Sequence, residues 1–224
     1  MKKNPYVSVV IPTFNEERNI KKVLLGVKNV LKNYKHEIII VDNHSIDKTV
    51  QVARSLRVSV IFDNKGKGSA LEKGFNMAKG DIVISMDADL SNRPKELRLL
   101  IAGIETGYDI CIGSRFMSGG GSGDMPFIRK FGNKFFVFVV NHLYGSKYTD
   151  MCYGYRSFAK GISKKLNLKE KGFGIETEIN IKAKKLGLKV LEVPSYEKPR
   201  AAGEAKLRSL RDGYIILRTI LKNL

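Results

Sequence analysis

Two carboxylates, Asp87 and Asp89, stand one residue apart and directly follow the apolar run 82–86. A short, β-branched run of this kind is typical of a buried parallel strand, and both carboxylates reach the same space if the strand ends there. Like charges so close repel each other, so a cation is expected between or beside them. A divalent metal is the natural candidate, because Mg²⁺ is usually held by one or two carboxylates together with substrate phosphates. The alternative is a pair of solvated turn acids.

Polar residues also follow the first two apolar runs of the chain. After the run 7–11, Phe14 can flank a nucleotide base, and Glu16 can accept hydrogen bonds from base or ribose donors. After the run 37–41, the carboxylate of Asp42 can accept the same donors. The alternative at both places is an ordinary strand-to-helix turn whose polar side chains cap the next helix.

The segment 64–70 is rich in glycine and lysine and superficially resembles a phosphate-binding loop. It lacks the Gly-x-x-x-x-Gly-Lys-Ser/Thr spacing, which excludes a nucleoside triphosphatase of the P-loop class. Its glycines are instead expected to allow a helix to approach a nucleotide closely.

Strand-like and helix-like patterns alternate along the chain. Apolar runs predict strands at 7–11, 37–41, 58–62, 82–86, 108–112 and 189–193, and apolar spacings of three and four predict helices at 16–31, 47–56, 68–78 and 175–186 and after Pro94. This alternation predicts a single α/β domain of the Rossmann-like type, with a mostly parallel central sheet and helices on both faces. Ligands of such sheets bind beyond the carboxyl ends of the strands, where the polar residues described above stand.

The second half of the chain is less regular. The Gly/Ser segment 118–123 is interpreted either as a linker or as a lid over a ligand. The segment 127–144 predicts an aromatic-rich helix, and a basic amphipathic helix is predicted at 207–224, beyond a catalytic domain at 1–206. Both helices combine apolar and basic residues, as interfacial helices at membranes do. Core packing beneath a solvated basic face is the alternative.

The charge balance of the chain favours anionic partners. Forty Lys and Arg against 22 Asp and Glu give a formal charge of +18, which suits phosphates, nucleic acid or acidic lipid. A nucleic-acid-binding module is the alternative from another class, but no RNP-like or recognition-helix pattern is present, so no nucleic-acid partner is expected. The longest apolar run, 135–140, is far shorter than the roughly 20 residues of a transmembrane helix, and residues 1–5 do not resemble a signal peptide. We expect a cytoplasmic protein, at most peripheral to a membrane.

Seven short motifs occur in a fixed order along the chain. They stand at 12–16, 42–47, 66–70, 87–90, 112–116, 150–156 and 200–207. Together they resemble family-2 glycosyltransferases, and most closely the dolichol-phosphate mannose synthase group and its polyprenyl-phosphate sugar transferase relatives. The resemblance implies a GT-A fold and an inverting transfer of a hexosyl or N-acetylhexosaminyl group, with Mg²⁺ or Mn²⁺ as the cofactor.

The resemblance also implies roles for individual residues. The base and ribose pocket would be lined by Pro12, Phe14, Glu16 and Asp42. The nucleotide would also be touched by Asp87 and Ala88, and its phosphates would be contacted by Arg115, Arg200 and Lys206. Asp89 would hold the metal, with Ser91 beside it. Asp89 and Arg115 are the expected catalytic residues, because a departing nucleoside diphosphate carries charge that metal and guanidinium groups stabilise. The close relatives often carry Gln in place of Ser91 and Asp in place of Asn43, and the second difference bears on the choice between guanine and uracil.

The acceptor decides whether a general base is needed. A hydroxyl acceptor needs one, and Asp150 is the first candidate, ahead of Glu176 and Glu178, with the alternative that Asp150 orients a loop or an arginine. A lipid phosphate needs none, since its second pKa of ~6 makes it dianionic at neutral pH. We therefore expect transfer from a UDP- or GDP-sugar to a polyprenyl (dolichyl) phosphate at the cytoplasmic face of a membrane. Transfer to a glycan or protein hydroxyl is the alternative.

Overall fold

The computed structural model of the chain describes residues 5–201 and 209–224, and those residues form nine strands and eight α-helices. The strands are β1 (Val7–Thr13), β2 (His36–Asp42), β3 (Ser59–Phe62), β4 (Ile82–Ser85), β5 (Ile110–Ser114), β6 (Gly121–Ser122), β7 (Arg156–Ala159), β8 (Val190–Pro194) and β9 (Tyr196–Glu197). The helices are α1 (Glu17–Val30), α2 (Thr49–Ser55), α3 (Lys67–Met77), α4 (Leu97–Glu105), α5 (Phe127–Tyr144), α6 (Ile162–Lys165), α7 (Ile175–Lys185) and α8 (Ser209–Lys222). A short 3₁₀ turn, Pro94–Glu96, leads into α4.

A seven-stranded sheet forms the centre of the fold. Its strand order is β3-β2-β1-β4-β7-β5-β8. Only β7 is antiparallel to its neighbours, β4 and β5, and the other pairs are parallel. The mostly parallel sheet predicted from the sequence is therefore confirmed.

Helices cover both faces of the sheet, as predicted. Along β1, Val9 and Ile11 belong to one buried apolar cluster, whereas Val10 belongs to another. The first cluster includes side chains of α1 and α4, and the second includes side chains of α3, α5, α7 and α8. Because both faces are buried, β1 is apolar along most of its length and does not alternate between apolar and polar residues.

The strand β7 is the main element that the sequence pattern does not predict. It begins with Arg156, which is fully buried, so the run lacks the continuous apolar character by which the other strands are recognised. The guanidinium donates to the carbonyl of Tyr153 at 2.8 Å and to the side-chain oxygen of Asn180 at 2.6 Å. These hydrogen bonds offset part of the cost of burying the charged group, since Nη2 has no partner among the described residues.

Other predicted elements are confirmed with small shifts. The aromatic-rich helix is α5, and the terminal helix is α8, although residues 207 and 208 lie outside the described residues. Pro94 begins the 3₁₀ turn and not the α-helix itself. The segment 118–123 contains β6, which pairs with β9 beside the main sheet. Over residues 5–201 and 209–224, none of the helices has the length and apolarity required to cross a membrane.

Candidate active site

An open cavity of about 850 Å³ lies beyond the carboxyl ends of β1, β2 and β4. Its wall nearest to the sheet includes Pro12 near the end of β1 and Phe14 and Glu16 after that strand. Asn43 after β2 and Asp87, Ala88, Asp89 and Ser91 after β4 complete this part of the wall. The fold thus brings together polar segments that are far apart in the sequence. This edge of a parallel sheet is where ligands bind in doubly wound folds.

Each carboxylate of the acidic pair lies against a basic side chain. The Nζ atom of Lys67 is 2.9 Å from Oδ1 of Asp87, and Nη2 of Arg200 is 3.0 Å from Oδ2 of Asp89. The sequence predicts a cation beside these acids, and both partners here are protein side chains. Arg200 is among the residues predicted for the site. Lys67 is not, because only the fold carries the start of α3 to the end of β4.

Lys67 also pairs with an acid from the first turn of α7. Its Nζ atom lies 2.9 Å from Oε1 of Glu176, whose side chain is 5% exposed. Burial alone would lower the pKa of the Lys67 ammonium, but the carboxylates of Asp87 and Glu176 raise that pKa above its ordinary value. The lysine is therefore protonated at neutral pH, and the cluster of three carries one positive and two negative charges.

Arg200 joins the acidic pair to the end of β1. Its Nη1 atom lies 3.1 Å from Oε1 of Glu16, while its Nη2 atom contacts Asp89. The other oxygen of Glu16 accepts a hydrogen bond from Asn19 at 2.8 Å, so both carboxylate oxygens of Glu16 are used within the protein. The guanidinium consequently lies between Glu16, which was predicted to line the base and ribose pocket, and Asp89, which was predicted to hold the metal.

Asp42 is fully buried, and its carboxylate is also used within the protein. One oxygen accepts the hydroxyls of Thr13 at 2.8 Å and Ser45 at 2.6 Å, and the other accepts the N–H of Ser45 at 2.7 Å. The next residue, Asn43, lines the cavity, and its side chain has no hydrogen-bond partner in the described part of the chain. The geometry favours Asn43 as the residue that meets a ligand, with Asp42 holding the loop in place.

Arg115 and Asp150 form a two-pronged ion pair. The guanidinium Nε and Nη2 atoms lie 2.7 and 2.9 Å from the two carboxylate oxygens of Asp150, which is fully buried. Its Nη1 atom lies 3.0 Å from Glu197. Burial alone would lower the pKa of Arg115, but Asp150 and then Glu197 raise it. Asp150 was predicted either to act as a general base or to orient a loop or an arginine, and this geometry favours the orientation of an arginine. Arg115 itself lines the cavity.

The donor atoms beside the acidic pair suit a hard divalent cation. Asp89 and Ser91 both line the cavity, and the N–H of Ser91 donates to Oδ1 of Asp89 at 3.0 Å. Within residues 5–201 and 209–224, no three His, Cys, Asp or Glu side chains are grouped to hold a metal ion. A carboxylate and a hydroxyl are hard oxygen ligands, and Mg²⁺ usually takes its remaining ligands from substrate and water. In this structure the two oxygens of Asp89 contact Arg200 and the N–H of Ser91. The predicted phosphate contact Lys206 lies outside the described residues.

The cavity continues into a lobe between α5 and α8, which we call the apolar lobe after Phe136 and Ile216. Its wall also includes Arg129 and Asn133 of α5 and Asp212 and Gly213 of α8. Asn133 is 3% exposed, and its Oδ1 atom accepts the N–H of Met151 at 3.0 Å, but its Nδ2 atom has no partner among the described residues. A buried donor without a protein partner is costly, and such groups are usually satisfied by an ordered water molecule or by a ligand. The sequence pattern gives no sign of this amide.

The opposite side of α5 carries an exposed aromatic stripe. Its members are Phe127, Phe131, Phe135 and Phe138, which are 81%, 61%, 48% and 69% exposed. Large contiguous apolar patches on a soluble protein mark interaction surfaces. The helix contains Arg129, Lys130 and Lys134 and no acidic residue. An apolar face flanked by positive charge suits an anionic lipid surface.

Comparisons with known proteins match nearly the whole chain. The family model described as "Glycosyl transferase family 2" matches residues 8–166. The chain is 38% identical over 211 residues to the dolichol-phosphate mannosyltransferase of Pyrococcus furiosus, in an alignment that covers 90% of this chain and 59% of that protein. It is 30% identical over 213 residues to the polyprenol monophosphomannose synthase of Mycolicibacterium smegmatis, covering 89% of this chain and 80% of that protein. The chain thus spans little more than half of the first relative.

A solved structure has the same fold. The glucosyl-3-phosphoglycerate synthase of Mycobacterium tuberculosis, in complex with Mn²⁺, UDP and glucosyl-3-phosphoglycerate, superposes with a TM-score of 0.77 at 20% sequence identity. The superposition covers 98% of this chain and 80% of that chain. The predicted GT-A fold is thereby confirmed.

Proposed function

Because the chain belongs to glycosyltransferase family 2, we propose that it moves a hexosyl or N-acetylhexosaminyl group from a UDP- or GDP-sugar to a polyprenyl phosphate. One observation carries this proposal: the charged end of the cavity, with the acidic pair and its two basic partners, opens into the apolar lobe between α5 and α8. A single cavity thereby offers a charged site for a diphosphate and an apolar site for a polyprenyl chain. The names of the two relatives, which refer to dolichol phosphate and polyprenol, support this acceptor class.

The end of the cavity near β1 and β2 would hold the base and ribose. Pro12 and Phe14 supply apolar surface there, and the amide of Asn43 offers both a donor and an acceptor to the edge of a base. Asp87 and Ala88 would lie against the nucleotide. Asp42 would act indirectly, by fixing the loop that carries Asn43.

Basic residues and a metal would hold the diphosphate. Arg115, Arg200 and Lys206 would contact phosphate oxygens, since the planar fork of arginine matches those oxygens. Asp89, with Ser91 beside it, would hold Mg²⁺ or Mn²⁺. A metal bound there would neutralise charge on the departing nucleoside diphosphate. The Mn²⁺ and UDP named for the solved structure support this class of cofactor.

The transfer would be a single displacement that inverts the anomeric carbon. An oxygen of the acceptor phosphate forms a bond to that carbon, and the bond to the donor diphosphate breaks with its electron pair leaving on the nucleoside diphosphate. The phosphate acceptor needs no general base, because a second pKa of ~6 leaves it dianionic at neutral pH. The position of Asp150 supports this route, since Arg115 engages both of its carboxylate oxygens.

The aromatic stripe would hold the apolar lobe at a membrane surface. In this arrangement residues 1–206 would form the catalytic part, and α8 would add apolar side chains to the membrane-facing side. Tyr214 and Leu221 of α8 are 69% and 59% exposed. A lipid acceptor would then reach the cavity without leaving the bilayer. We place the protein peripherally at the cytoplasmic face.

Changing Phe131 or Phe138 to Ser is expected to weaken binding to vesicles of phosphatidylglycerol and phosphatidylcholine by about tenfold each, because each variant removes apolar area from the lipid contact. Vesicle co-sedimentation measures the effect. Leu25→Ser is the matched control, since Leu25 is 47% exposed on α1, which covers the other face of the sheet. Equal binding of all three variants to the vesicles would show that the aromatic stripe does not face the lipid. A monomer–dimer equilibrium that the Phe variants abolish would assign the stripe to a second copy instead.

The acceptor is tested with labelled UDP- and GDP-sugars in the presence of Mg²⁺ or Mn²⁺, with and without polyprenyl phosphate. Label that passes into organic solvent only when the lipid phosphate is present would support the proposal. Transfer to a glycan or protein hydroxyl without lipid would overturn it in favour of the alternative acceptor.

A further inference from the structure

Four polar side chains form a hydrogen-bonded chain that ends beside the acidic pair. They are Asn92 after β4, Glu96 in the 3₁₀ turn, Tyr153 before β7 and Ser195 between β8 and β9, and we call them the Tyr153 relay. Asn92, Tyr153 and Ser195 are 1%, 2% and 2% exposed. Polar groups buried to this degree need hydrogen-bond partners, and the relay supplies them. None of these four side chains has a role in the mechanism proposed above.

The relay has a fixed direction. Nδ2 of Asn92 donates to the hydroxyl of Tyr153 at 3.0 Å, the hydroxyl oxygens of Tyr153 and Ser195 are 3.1 Å apart, and Ser195 donates to Oε2 of Glu96. Because an amide nitrogen only donates and a carboxylate only accepts, the proton of Tyr153 must point toward Ser195. Burial also raises the pKa of the Tyr153 hydroxyl above its ordinary value, which keeps that proton in place at neutral pH. The four groups are therefore held in a single arrangement.

One end of the relay secures the loop that carries the acidic pair. Oδ1 of Asn92 accepts the N–H of Asp87 at 2.7 Å, which closes residues 87–92 into a loop. Within this loop Leu90 has a φ of 68°, in the left-handed region that residues other than glycine rarely adopt. Such a conformation persists when the surrounding contacts hold it in place. The position of Asp89 therefore depends on the anchoring of the Asn92 amide.

The other end of the relay holds the segment that begins at Ser195. Besides the hydroxyl of Ser195, Glu96 accepts the N–H of Tyr196 at 3.2 Å. The same segment carries Arg200, whose Nη2 atom contacts Asp89. Asp89 is thus held from two directions, by its own loop at one end of the relay and by the segment 195–200 at the other.

We propose that the Tyr153 relay positions Asp89 for metal binding by fixing the loop 87–92. The proposal rests on the proposed function, because it takes Asp89 to be the residue that holds the metal. Loss of a side chain that orients a metal ligand without touching the metal typically lowers metal affinity by about 10- to 100-fold. Asn92 secures the loop directly, whereas Tyr153, Ser195 and Glu96 act through Asn92. All four are positioning residues, because they act on the loop and not on the metal itself.

Two variants, Tyr153→Phe and Ser195→Ala, interrupt the relay at adjacent links. Tyr153→Phe removes the hydroxyl and keeps the aromatic ring, whose centroid lies 4.7 Å from the guanidinium carbon of Arg115. Each variant is expected to lower the affinity for Mn²⁺ about tenfold in the presence of UDP, or of GDP if the native chain binds guanine. The double variant is expected to lose no more than either single variant, because both changes break the same chain. Titrations followed by the electron paramagnetic resonance signal of Mn²⁺ measure these affinities.

A second measurement separates positioning from a general loss of structure. The affinity for the nucleoside diphosphate without metal is expected to stay at the native value, and saturating Mn²⁺ is expected to restore most of the turnover in both single variants. Tyr148→Phe is the matched control, because it removes another buried hydroxyl, which donates to the carbonyl of Asn180 at 2.9 Å, and leaves the relay intact. Its affinity for Mn²⁺ is expected to equal that of the native chain.

The outcomes distinguish the relay from the proposed function. If the native chain binds no Mn²⁺ with either nucleoside diphosphate, the proposed function itself fails. If it binds Mn²⁺ and both single variants keep the native affinity, only the relay is overturned. A loss of about a hundredfold in the double variant would also overturn the relay, because the two side chains would then act separately. A tenfold loss in Tyr148→Phe would do the same, since the effect would then follow from packing in general.

Discussion

Replacing Asp89 by Asn is expected to reduce sugar transfer by about 10²- to 10³-fold, the size of effect seen when one group that stabilises developing charge is removed. The amide lacks the charge that would hold a divalent metal, and it also leaves Arg200 with only one of its two carboxylate partners. The transfer rate and the affinity for Mn²⁺ in the presence of the nucleoside diphosphate are the quantities to measure. Both should fall together.

The stability of the Asp89→Asn variant should change little. The side chains of Asp89 and Arg200 are 15% and 22% exposed, and Arg200 keeps its contact with Glu16. Glu72→Gln is the matched control, since it removes a carboxylate from an ion pair on the surface. Native rates of transfer in Asp89→Asn, with native affinity for Mn²⁺, would remove Asp89 from the active site.

The sequence predicts the location of the acidic pair because that location depends on short-range pattern. An apolar run followed by two carboxylates identifies the end of a buried strand, and the alternation of strands and helices places that end at the ligand-binding edge. The structure confirms the strand and the edge, with Asp87 and Asp89 on the cavity wall. Pro12 and Phe14 line the same cavity for the same reason.

The partners of these residues are set by long-range packing, which a single sequence does not display. Lys67 meets Asp87 only because α3 is seated on the segment before α7. Asp42 has the same polar character as a ligand-binding acid, but it is turned inward onto Thr13 and Ser45. Whether an acid after a strand faces the cavity or its own loop depends on side-chain orientation, and periodicity carries no information on that point.

The same limit applies to buried polar residues in regular elements. The strand β7 is not predicted from the sequence, because a charged residue such as Arg156 argues against a buried strand. The oxygen atoms of Tyr153 and Asn180 that accept its hydrogen bonds become apparent only in three dimensions. Asn133 lies within a helix that the sequence predicts at the correct residues, yet the lack of a partner for its Nδ2 atom among the described residues becomes apparent only from the packing of α5 against its neighbours.

Replacing Asp150 by Asn is expected to lower the free energy of unfolding by about 3 kcal/mol, because it breaks a buried ion pair and leaves Arg115 with Glu197 as its acidic partner. The guanidinium would then lose its fixed orientation toward the cavity. We expect turnover to fall by about a hundredfold, the effect of misplacing a positioning group. Urea unfolding measures the first effect, and steady-state kinetics over a range of pH measure the second.

The kinetics separate the two roles of Asp150. If it orients Arg115, the KM for the phosphate-bearing substrates rises and the shape of the pH–rate profile is unchanged. If it is a general base, KM stays the same and the acidic limb of the profile disappears. Glu192→Gln is the matched control, because Glu192 accepts the N–H groups of Thr149 and Asp150 at 2.8 and 3.2 Å and so holds the same loop without contacting Arg115. A native KM together with loss of the acidic limb of the pH–rate profile would instead identify Asp150 as a general base, and it would favour a hydroxyl group as the acceptor.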